Sequence, residues 1–420
     1  MNRVLRLLLL VGALAALPAA VAAAVAAPAS SVVVLSWDGV RHDYPDRAGL
    51  PNLERLASDG VRAGRLIPVY PSNTFPGHVS LATGTYPDTH GIVDNVFVDA
   101  ERGLYRYSAE ADWIEAEPLW IAAERQGVPA ATYFWVGSES DWRGQGTRFR
   151  IAPFDGDRPE SEKVDQILEW LALPPEERPR LIMSYWAGAD GEGHDHGSES
   201  SGVMAQLEAQ DLQLGRLLAG MDALDLWDRT TLILVSDHGM TDVSRYVDLS
   251  ARLEAAGVPA RVMGGAVANV YLDDPADLER ALVAIAGLEP ARAWAKRDVP
   301  AAWRLSHPRR SGDIVVTVEP PFTLSQPRGL AGHLGRLYFA LGGEFGSHGY
   351  RPDHPDMAGV FLAMGRGVPE GLVIPEVHQV DVAATIARLL GIDPPRQSEG
   401  RPVRGIGEQL IGGGAPAPER

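Results

Sequence analysis

Three short segments of the chain are almost continuously apolar and rich in β-branched residues, without the alternation of a half-exposed strand. They read SVVVLS at 31–36, LIMSY at 181–185 and TLILVS at 231–236. Such runs are typical of strands buried on both faces of a sheet. Between the second and third runs, Leu207, Leu214 and Leu218 recur at helical spacing and predict a helix over 200–221. Strands that alternate with helices indicate an α/β fold with a mostly parallel sheet covered by helices on both faces.

The pattern changes between residues 251 and 345. Strands predicted over 261–272 and 313–319 flank a helix predicted over 277–286. This order is typical of a small α+β lobe, which here interrupts the α/β core. Beyond Gly391 the chain is rich in Gly, Pro and Arg, a composition that predicts a disordered end.

The N-terminal residues have the composition of an export signal. Arg3 and Arg6 precede an uncharged run over 7–27, which contains the cleavage pattern Ala24-Val25-Ala26. The run is also long enough for a retained membrane anchor, but its alanine content and small-residue end favour a cleaved signal peptide. We therefore expect a periplasmic or secreted protein without membrane contact after cleavage. The predicted parts are a signal peptide (1–26), a catalytic core (31–250 and 346–396), an inserted lobe (251–345) and a disordered tail (397–420).

Composition narrows the possible chemistry. The chain has no cysteine, which excludes disulfides, thiolate metal sites and cysteine nucleophiles. Its formal net charge of −17 repels polynucleotides and anionic lipids at long range. A small molecule is therefore the expected partner, not a nucleic acid polymer. The sequence does not indicate an oligomeric state.

Acidic and histidine side chains follow each of the three apolar runs, and one more histidine follows the predicted lobe. The carboxyl ends of parallel strands meet at one edge of a sheet, so these side chains can converge on one site. Oxygen and nitrogen ligands of this kind are those that zinc prefers. The candidate ligands are Asp38, Asp190, His194, Asp237, His238 and His348.

A hydroxyl stands out in the stretch YPSNTFPGHVSLATG, residues 70–84. Thr74 follows a turn and lies at the first turn of a predicted helix. It is either a helix cap, which is a common structural role, or a nucleophile whose charged form the positive helix end favours. The stretch by itself leaves both interpretations open.

Eight motifs occur in a fixed order along the chain. They are Asp38-Gly39, Asn73-Thr-Phe-Pro-Gly-His78, Gly84-Thr-Tyr-Pro87, His90-Gly-Ile-Val-Asp-Asn95, Phe134-Trp-Val-Gly-Ser-Glu139, Asp190-x-x-Gly-His194, Asp237-His-Gly-Met240 and His348-Gly-Tyr350. Their order resembles that of the nucleotide pyrophosphatase/phosphodiesterases of the alkaline phosphatase superfamily, over about residues 32–392. Residues 141–157, where this family forms part of its substrate pocket, match it poorly.

The resemblance implies an alkaline-phosphatase-like core and a site with two Zn²⁺ ions. The implied nucleophile is Thr74, which would form a phosphothreonine, and the Asn95 amide would bind a phosphate oxygen. Phe75 and Tyr185 would flank the leaving or retained group. The implied ligands are Asp38, Asp237, His238 and Thr74 for one zinc, and Asp190, His194 and His348 for the other.

Three functions are compatible with these residues. The first is a phosphodiesterase or nucleotide pyrophosphatase that releases a nucleoside monophosphate. The second is a phosphomonoesterase or another phosphate- or phosphonate-ester hydrolase. Monoesters carry a further charge and usually need a cation such as Arg, but no Arg adjoins Thr74 and Asn95 is neutral, which favours diesters. The third is a non-catalytic exported metal-binding protein, which would not need Thr74 beside a full ligand set.

Overall fold

The structure is a computed structural model that describes residues 30–324 and 329–411. The predicted signal peptide lies outside the described residues. None of the helices in the described part of the chain combines the length and the apolar character that a membrane span requires.

Strands and helices alternate along most of the described chain. The strands are β1 (Ser31–Trp37), β2 (Gly60–Ala63), β3 (Leu66–Ile67), β4 (Val96–Asp99), β5 (Gly103–Arg106), β6 (Ala130–Tyr133), β7 (Phe149–Ile151), β8 (Leu181–Trp186), β9 (Thr230–Val235), β10 (Thr241–Val243), β11 (Arg245–Tyr246), β12 (Ala260–Gly264), β13 (Val267–Leu272), β14 (Arg292–Ala295), β15 (Ile314–Thr317), β16 (Phe322–Thr323), β17 (Phe345–Ser347), β18 (Phe361–Gly365), β19 (Leu372–Ile374) and β20 (Val377–His378). The α-helices are α1 (Pro51–Ser58), α2 (Thr74–Thr83), α3 (Pro87–His90), α4 (Leu119–Arg125), α5 (Glu160–Ala172), α6 (Asp190–His196), α7 (Ser201–Ala223), α8 (Leu249–Ala255), α9 (Leu278–Ala286), α10 (Gly329–Ala340) and α11 (Gln379–Leu390).

An eight-stranded sheet forms the centre of the molecule, in the order β19–β2–β18–β9–β1–β8–β6–β7. β1 pairs in parallel with β8 and β9, whereas β18 is antiparallel to both of its neighbours. Val34 of β1 packs into one hydrophobic layer and Leu35 into the other, and both are buried. This two-sided burial explains why the sequence run is continuously apolar.

Helices cover both faces of the sheet. On one face α2, α4 and α11 contribute apolar side chains to the layer that contains Val34. On the other face α1, α5 and α7 do the same for the layer that contains Leu35. The predicted α/β fold, with a mostly parallel sheet between helices, is confirmed.

The residues between β11 and β17 include a second, smaller sheet. Strands β12, β13, β15 and β14 form an antiparallel sheet, with α8 and α9 packed against it. The segment 261–272, which the sequence predicts as extended, is a hairpin that reverses at Gly265 and Ala266. The φ of Gly264 is +122°, and a Cβ there would lie 2.0 Å from the Val267 carbonyl oxygen. Glycine is therefore required where the hairpin turns.

The predicted disordered tail is wrong for residues 397–411. Val403 and Ile406 are buried, and the Val403 N–H donates to Thr385 Oγ1 at 2.9 Å. The Arg401 N–H donates to Asp381 Oδ1 at 2.7 Å. Both acceptors belong to α11, so this Gly- and Pro-rich segment is held through its backbone donors. The remaining residues of the predicted tail lie outside the described residues.

Candidate active site

The site begins at the carboxyl ends of three neighbouring strands. Asp38 follows β1, Asp237 lies two residues after β9, and Asp190 begins α6 after β8. Two glycines allow the strand ends to come this close. A Cβ on Gly188 would lie 1.8 Å from the Asp38 carbonyl oxygen, and one on Gly39 would lie 2.8 Å from the Asp190 Cα. Parallel pairing therefore explains why residues far apart in sequence meet here.

His348 reaches the same edge by a different route. It follows β17, which pairs antiparallel with β10, so the two ends of the lobe insertion meet just after Met240. The His348 ring stacks on that of His238 with centroids 3.7 Å apart. His194 lies one helical turn after Asp190, and its Nδ1 is 2.9 Å from the Gly346 carbonyl oxygen.

The candidate ligands form two compact groups. Within each group one ligand atom per residue lies within 4.8 Å of the others. The first group is Asp38, Asp237 and His238; the second is Asp190, His194 and His348.

The hydrogen bonds of the three histidines assign their tautomers. Each Nδ1 faces a backbone carbonyl, which can only accept, so Nδ1 carries the proton and Nε2 of the neutral ring has a lone pair. The Nε2 atoms of His194 and His348 are 3.1 Å apart, so their lone pairs face each other. The three carbonyl acceptors are Gly346 for His194 (2.9 Å), Gly239 for His238 (2.8 Å) and Ser72 for His348 (3.0 Å).

One oxygen of each carboxylate also lacks a hydrogen-bond donor. Asp38 Oδ1, Asp190 Oδ1 and Asp237 Oδ2 are buried without a hydrogen-bond partner. Buried acceptors that face other acceptors are costly unless a cation lies between them. Because each group combines such carboxylate oxygens with at least one imidazole Nε2, the two groups fit a pair of metal ions.

Electrostatics leads to the same conclusion. Burial, together with the Asp237 and Asp190 carboxylates, raises the pKa of Asp38 well above its usual value. Burial acts on Asp237 in the same direction, but the imidazoles of His238 and His78 outweigh it and lower the pKa. Burial lowers the pKa of His348 well below its ordinary value, and His238 and His194 add to this effect. Burial thus disfavours a proton on His348, and the Asp38 carboxylate needs positive charge beside it to remain ionised.

Thr74 is the first residue of α2, and the N-cap position belongs to Asn73. The Asn73 side chain does not cap the helix; its amide donates to Asp94 Oδ1 at 2.8 Å. Thr74 Oγ1 lies 3.3 Å from His238 Nε2, beside the first ligand group. The structure therefore excludes the cap interpretation of Thr74 and brings its hydroxyl to the candidate ligands.

Asn95 has a fixed orientation next to Thr74. Its Oδ1 accepts from the Phe75 N–H at 2.8 Å, at the N-terminus of α2. The Asn95 backbone N–H in turn donates to Asp94 Oδ1 at 2.7 Å. Because Oδ1 is occupied by a donor, the NH₂ group is the part of this amide available to an acceptor.

A cavity of about 480 Å³, here called the aromatic cavity, opens beside Thr74. Phe75 and Tyr185 line it, as do Phe154 and Tyr107. The sequence predicts the first two and misses the others: Phe154 lies in the segment that matches no motif, and Tyr107 follows β5 with no pattern to mark it. The Phe154 ring is 5.8 Å from that of Tyr185.

Tyr185 does more than line the cavity. Its hydroxyl donates to Asp38 Oδ2 at 2.8 Å. Burial, followed by the Asp38 charge, raises the pKa of Tyr185 well above its usual value, so the phenol stays protonated and donates. Tyr185 therefore joins the aromatic cavity to the first ligand group.

Solved structures of similar shape identify the fold. Murine ectonucleotide pyrophosphatase/phosphodiesterase 5, in an inactive threonine-to-alanine form in complex with AMP, superposes with a TM-score of 0.79 at 24% identity. The match covers 87% of this chain and 96% of that chain. The human protein of the same name superposes with a TM-score of 0.77. The core therefore has the alkaline-phosphatase-like α/β fold, as expected.

Sequence comparison identifies the family. Residues 32–351 match the family described as type I phosphodiesterase / nucleotide pyrophosphatase. An uncharacterized pyrophosphatase/phosphodiesterase of Schizosaccharomyces pombe is 32% identical over 80% of this chain and 71% of its own length. The chain belongs to the type I phosphodiesterase / nucleotide pyrophosphatase family, whose members are hydrolases of phosphoric ester and anhydride bonds, and the predicted family is confirmed.

The animal relatives are longer proteins. Human ectonucleotide pyrophosphatase/phosphodiesterase family member 1 is 28% identical over 86% of this chain, which spans 40% of the human protein. A venom phosphodiesterase of Crotalus durissus collilineatus is 28% identical over 87% of this chain, which spans 45% of it. The chain thus spans less than half of these relatives.

Proposed function

We propose that this chain is an exported, zinc-dependent nucleotide pyrophosphatase/phosphodiesterase that uses Thr74 as its nucleophile. The observation that carries the proposal is the position of Thr74 Oγ1, 3.3 Å from His238 Nε2 and at the wall of the aromatic cavity. A nucleophile, two metal-ligand groups and a surface for a flat ring thus adjoin one space. The product is a nucleoside monophosphate.

The reaction proceeds in two displacements at phosphorus. The Thr74 Oγ–phosphorus bond forms as the bond to the leaving oxygen breaks, and that oxygen keeps the electron pair and takes up a proton. Water then attacks the phosphothreonine, the phosphorus–Oγ bond breaks, and Thr74 regains its hydroxyl proton. Each turnover therefore consumes one water. The Asn95 NH₂ holds a non-bridging oxygen in both displacements, while Phe75, Phe154 and Tyr185 bind the nucleobase.

Zinc is the proposed metal because each ligand group combines histidine nitrogen with carboxylate oxygen. Asp38, Asp237, His238 and Thr74 would hold one ion. Two such ions would lower the pKa of the nucleophile hydroxyl and offset charge on the phosphate. Asp190, His194 and His348 would hold the other ion.

The lining of the aromatic cavity supports a diester or anhydride substrate over a monoester. No lysine or arginine lines the aromatic cavity in the described part of the chain, so the further charge of a monoester has no cation there. The related murine protein binds AMP, and its threonine-to-alanine form is inactive. Both facts about that protein are consistent with a nucleotide product and a threonine nucleophile here.

Hydrolysis of two aryl substrates tests the proposal. We expect the zinc-loaded protein to cleave an aryl ester of a nucleoside monophosphate at least about a hundredfold faster than an aryl phosphate monoester. Thr74→Ala and chelation should each abolish cleavage, and Thr147→Ala, which removes a half-buried hydroxyl bonded to the Phe149 carbonyl, should not. Faster monoester cleavage would replace the proposal with a phosphatase, and zinc binding without any cleavage would leave a metal-binding protein.

The proposal that the protein is exported rests on its N-terminal sequence. The matched relatives include proteins named as ectonucleotide and venom enzymes. We propose cleavage after residue 26, with the core over 31–250 and 346–396 and the lobe over 251–345. N-terminal sequencing of protein from the periplasm or culture medium tests the cleavage; a cytoplasmic protein that begins at Met1 would contradict it.

A further inference from the structure

Arg310 is a buried cation to which the proposed function gives no role. It precedes β15 of the smaller sheet, and its side chain is 1% exposed. Its Nε donates to Asp99 Oδ2 at 2.7 Å, and its Nη1 donates to the carbonyls of Gly91 at 2.9 Å and Trp113 at 2.8 Å. A buried guanidinium is costly unless its donors are satisfied. These bonds therefore hold Arg310 in one place, between the smaller sheet and the segment that contains β4.

The contact between Arg310 and Asp99 is an ion pair. Burial by itself would raise the pKa of Asp99, but the Glu101 N–H and the Arg310 guanidinium outweigh it and lower this pKa to about 2. Glu115 adds a second carboxylate, with its Oε1 2.8 Å from Arg310 Nη2. The Arg310–Asp99 pair therefore stays ionised at any pH at which the protein would be assayed.

Tyr271 makes a second connection from the smaller sheet to β4. It lies on β13, which pairs with β15. Its hydroxyl accepts from the Val98 N–H at 3.1 Å and donates to the Arg310 carbonyl at 2.7 Å. The smaller sheet thus holds β4 both through its backbone and through the side chain of its last residue. We call Arg310 and Tyr271 the clamp.

Asn95 lies midway between the points that the clamp holds. Gly91 is four residues before it, Asp99 is four residues after it, and β4 begins directly after it. The φ of Gly91 is +81°, and a Cβ there would lie 2.3 Å from Arg310 Nη1. Glycine is therefore required for the close approach of this loop to Arg310. The bonds of Asn95 to Phe75 set the direction of its amide, and the clamp fixes the path of the backbone that carries it.

We propose that the clamp positions Asn95 for phosphate binding, and that Arg310 is its principal positioning residue. This inference rests on the proposed function, in which the Asn95 NH₂ holds a non-bridging oxygen. An N–H···O bond forms at about 2.7–3.2 Å, so a backbone shift of about 1 Å is enough to break it. Neither clamp residue is among those that line the aromatic cavity, so both act through Asn95 without contacting the nucleotide.

A double-mutant cycle with Asn95 tests the proposal. The kcat/KM of the zinc-loaded protein is measured with an aryl ester of a nucleoside monophosphate. Arg310→Lys keeps the charge beside Asp99 but not the planar fork that reaches two carbonyls. It should lower kcat/KM about 10- to 100-fold, as a displacement of about 1 Å does. Tyr271→Phe should lower it about three- to tenfold, as for loss of a hydrogen bond.

The decisive comparison is made in the Asn95→Ala background. Asn95→Ala by itself should cost about a hundredfold in kcat/KM, as for loss of one donor to a charged oxygen. If the clamp acts through Asn95, adding Arg310→Lys or Tyr271→Phe should change this lowered kcat/KM by no more than about twofold. A clamp that only stabilised the fold would instead cost the same factor in both backgrounds.

Tyr338→Phe is the matched control for Tyr271→Phe. The Tyr338 hydroxyl donates to the Glu344 carbonyl at 2.9 Å, and both residues lie between β11 and β17, like the clamp. Its kcat/KM should stay within about twofold of the parent protein in each background. If the buried Arg310→Lys variant does not fold, Tyr271→Phe, which keeps the ring and all charges, decides the test.

The outcomes separate the inference from the proposed function. Equal losses in the wild-type and Asn95→Ala backgrounds, or no loss in Tyr271→Phe, would overturn the inference while the proposed function stands. Full activity of Asn95→Ala would overturn both the role of Asn95 and the inference that depends on it. Absence of cleavage by the wild type would overturn the proposed function as a whole.

Discussion

Removing the Tyr185 hydroxyl should weaken metal binding while the aromatic wall stays in place. This hydroxyl donates to Asp38 Oδ2 at 2.8 Å, and Asp38 Oδ1 has no hydrogen-bond partner. A hydrogen bond to a charged group contributes about 1.5–3 kcal/mol. At about 1.36 kcal/mol per factor of ten, Tyr185→Phe should lower the affinity of the first ligand group for zinc roughly 10- to 100-fold, the range found for residues that orient metal ligands.

The loss of zinc affinity in Tyr185→Phe should also depend on pH. Burial raises the pKa of Asp38, and the bond from Tyr185 opposes that effect. Without this bond the Asp38 pKa rises further, so protons compete better with zinc. The affinity ratio between wild type and Tyr185→Phe should therefore widen as pH falls from about 8 to 6.

Competition with a chromophoric zinc chelator measures the zinc affinity of each variant and how that affinity changes with pH. Tyr44→Phe is the control, because the Tyr44 hydroxyl is also buried and donates to the Ser198 carbonyl at 2.7 Å, away from the ligands. Tyr185→Leu removes the ring as well and should raise the KM for a nucleotide about tenfold through lost stacking. Equal zinc affinities of Tyr185→Phe and wild type at both pH values would refute the reasoning, as would an equal loss in Tyr44→Phe.

Three further predictions concern the close contact between Gly346 and Gly193, the buried His90 and the metal ions. A Cβ on Gly346 would lie 2.2 Å from the Gly193 carbonyl oxygen, so Gly346→Ala should separate β17 from α6 and lower the bound zinc from two ions toward one by elemental analysis. Gly191→Ala, whose Cβ meets open space, should keep both ions. Burial, helped by Arg310, lowers the pKa of His90 to about 3, so stability from this residue is complete above pH 6.5 and is lost as pH falls toward 3. The free energy of unfolding of the chelated protein, measured with denaturant, should differ between wild type and His90→Gln. This difference should narrow by up to about 1.4 kcal/mol for each pH unit by which the pH falls. A difference that stays constant with pH would contradict this. Chelation should lower the Tm by several degrees in calorimetry, because each ion at a hundred times its Kd stabilises the fold by about 2.7 kcal/mol, and an unchanged Tm would mean that the ligand groups do not hold metal.

The core could be predicted because its signals are local. The run at β1 is apolar on both faces, and the acidic residues after β1, β8 and β9 had to meet once those strands were parallel neighbours. His348 carries no such signal. It joins His194 across 154 residues through the pairing of β10 with β17, so only its place in the motif order indicated a role.

The rest of the aromatic cavity could not be predicted for a related reason. Phe154 and Tyr107 have ordinary sequence neighbours, and their positions depend on how loops and hairpins pack over the sheet edge. The prediction of a disordered tail failed because it was based on a composition with few apolar side chains. Composition does not show that backbone N–H groups of residues 397–411 donate hydrogen bonds to α11. Long-range contacts decide all three cases.

The pairing of β10 with β17 has an evolutionary consequence. It joins the two ends of the predicted lobe insertion beside the candidate ligand His348, so the insertion can change in length while its ends remain at the edge where the candidate ligands meet. Doubling the length of such a loop costs only about 0.6 kcal/mol in closure entropy. The predicted insertion can therefore vary in length without displacing His348 from the other candidate ligands.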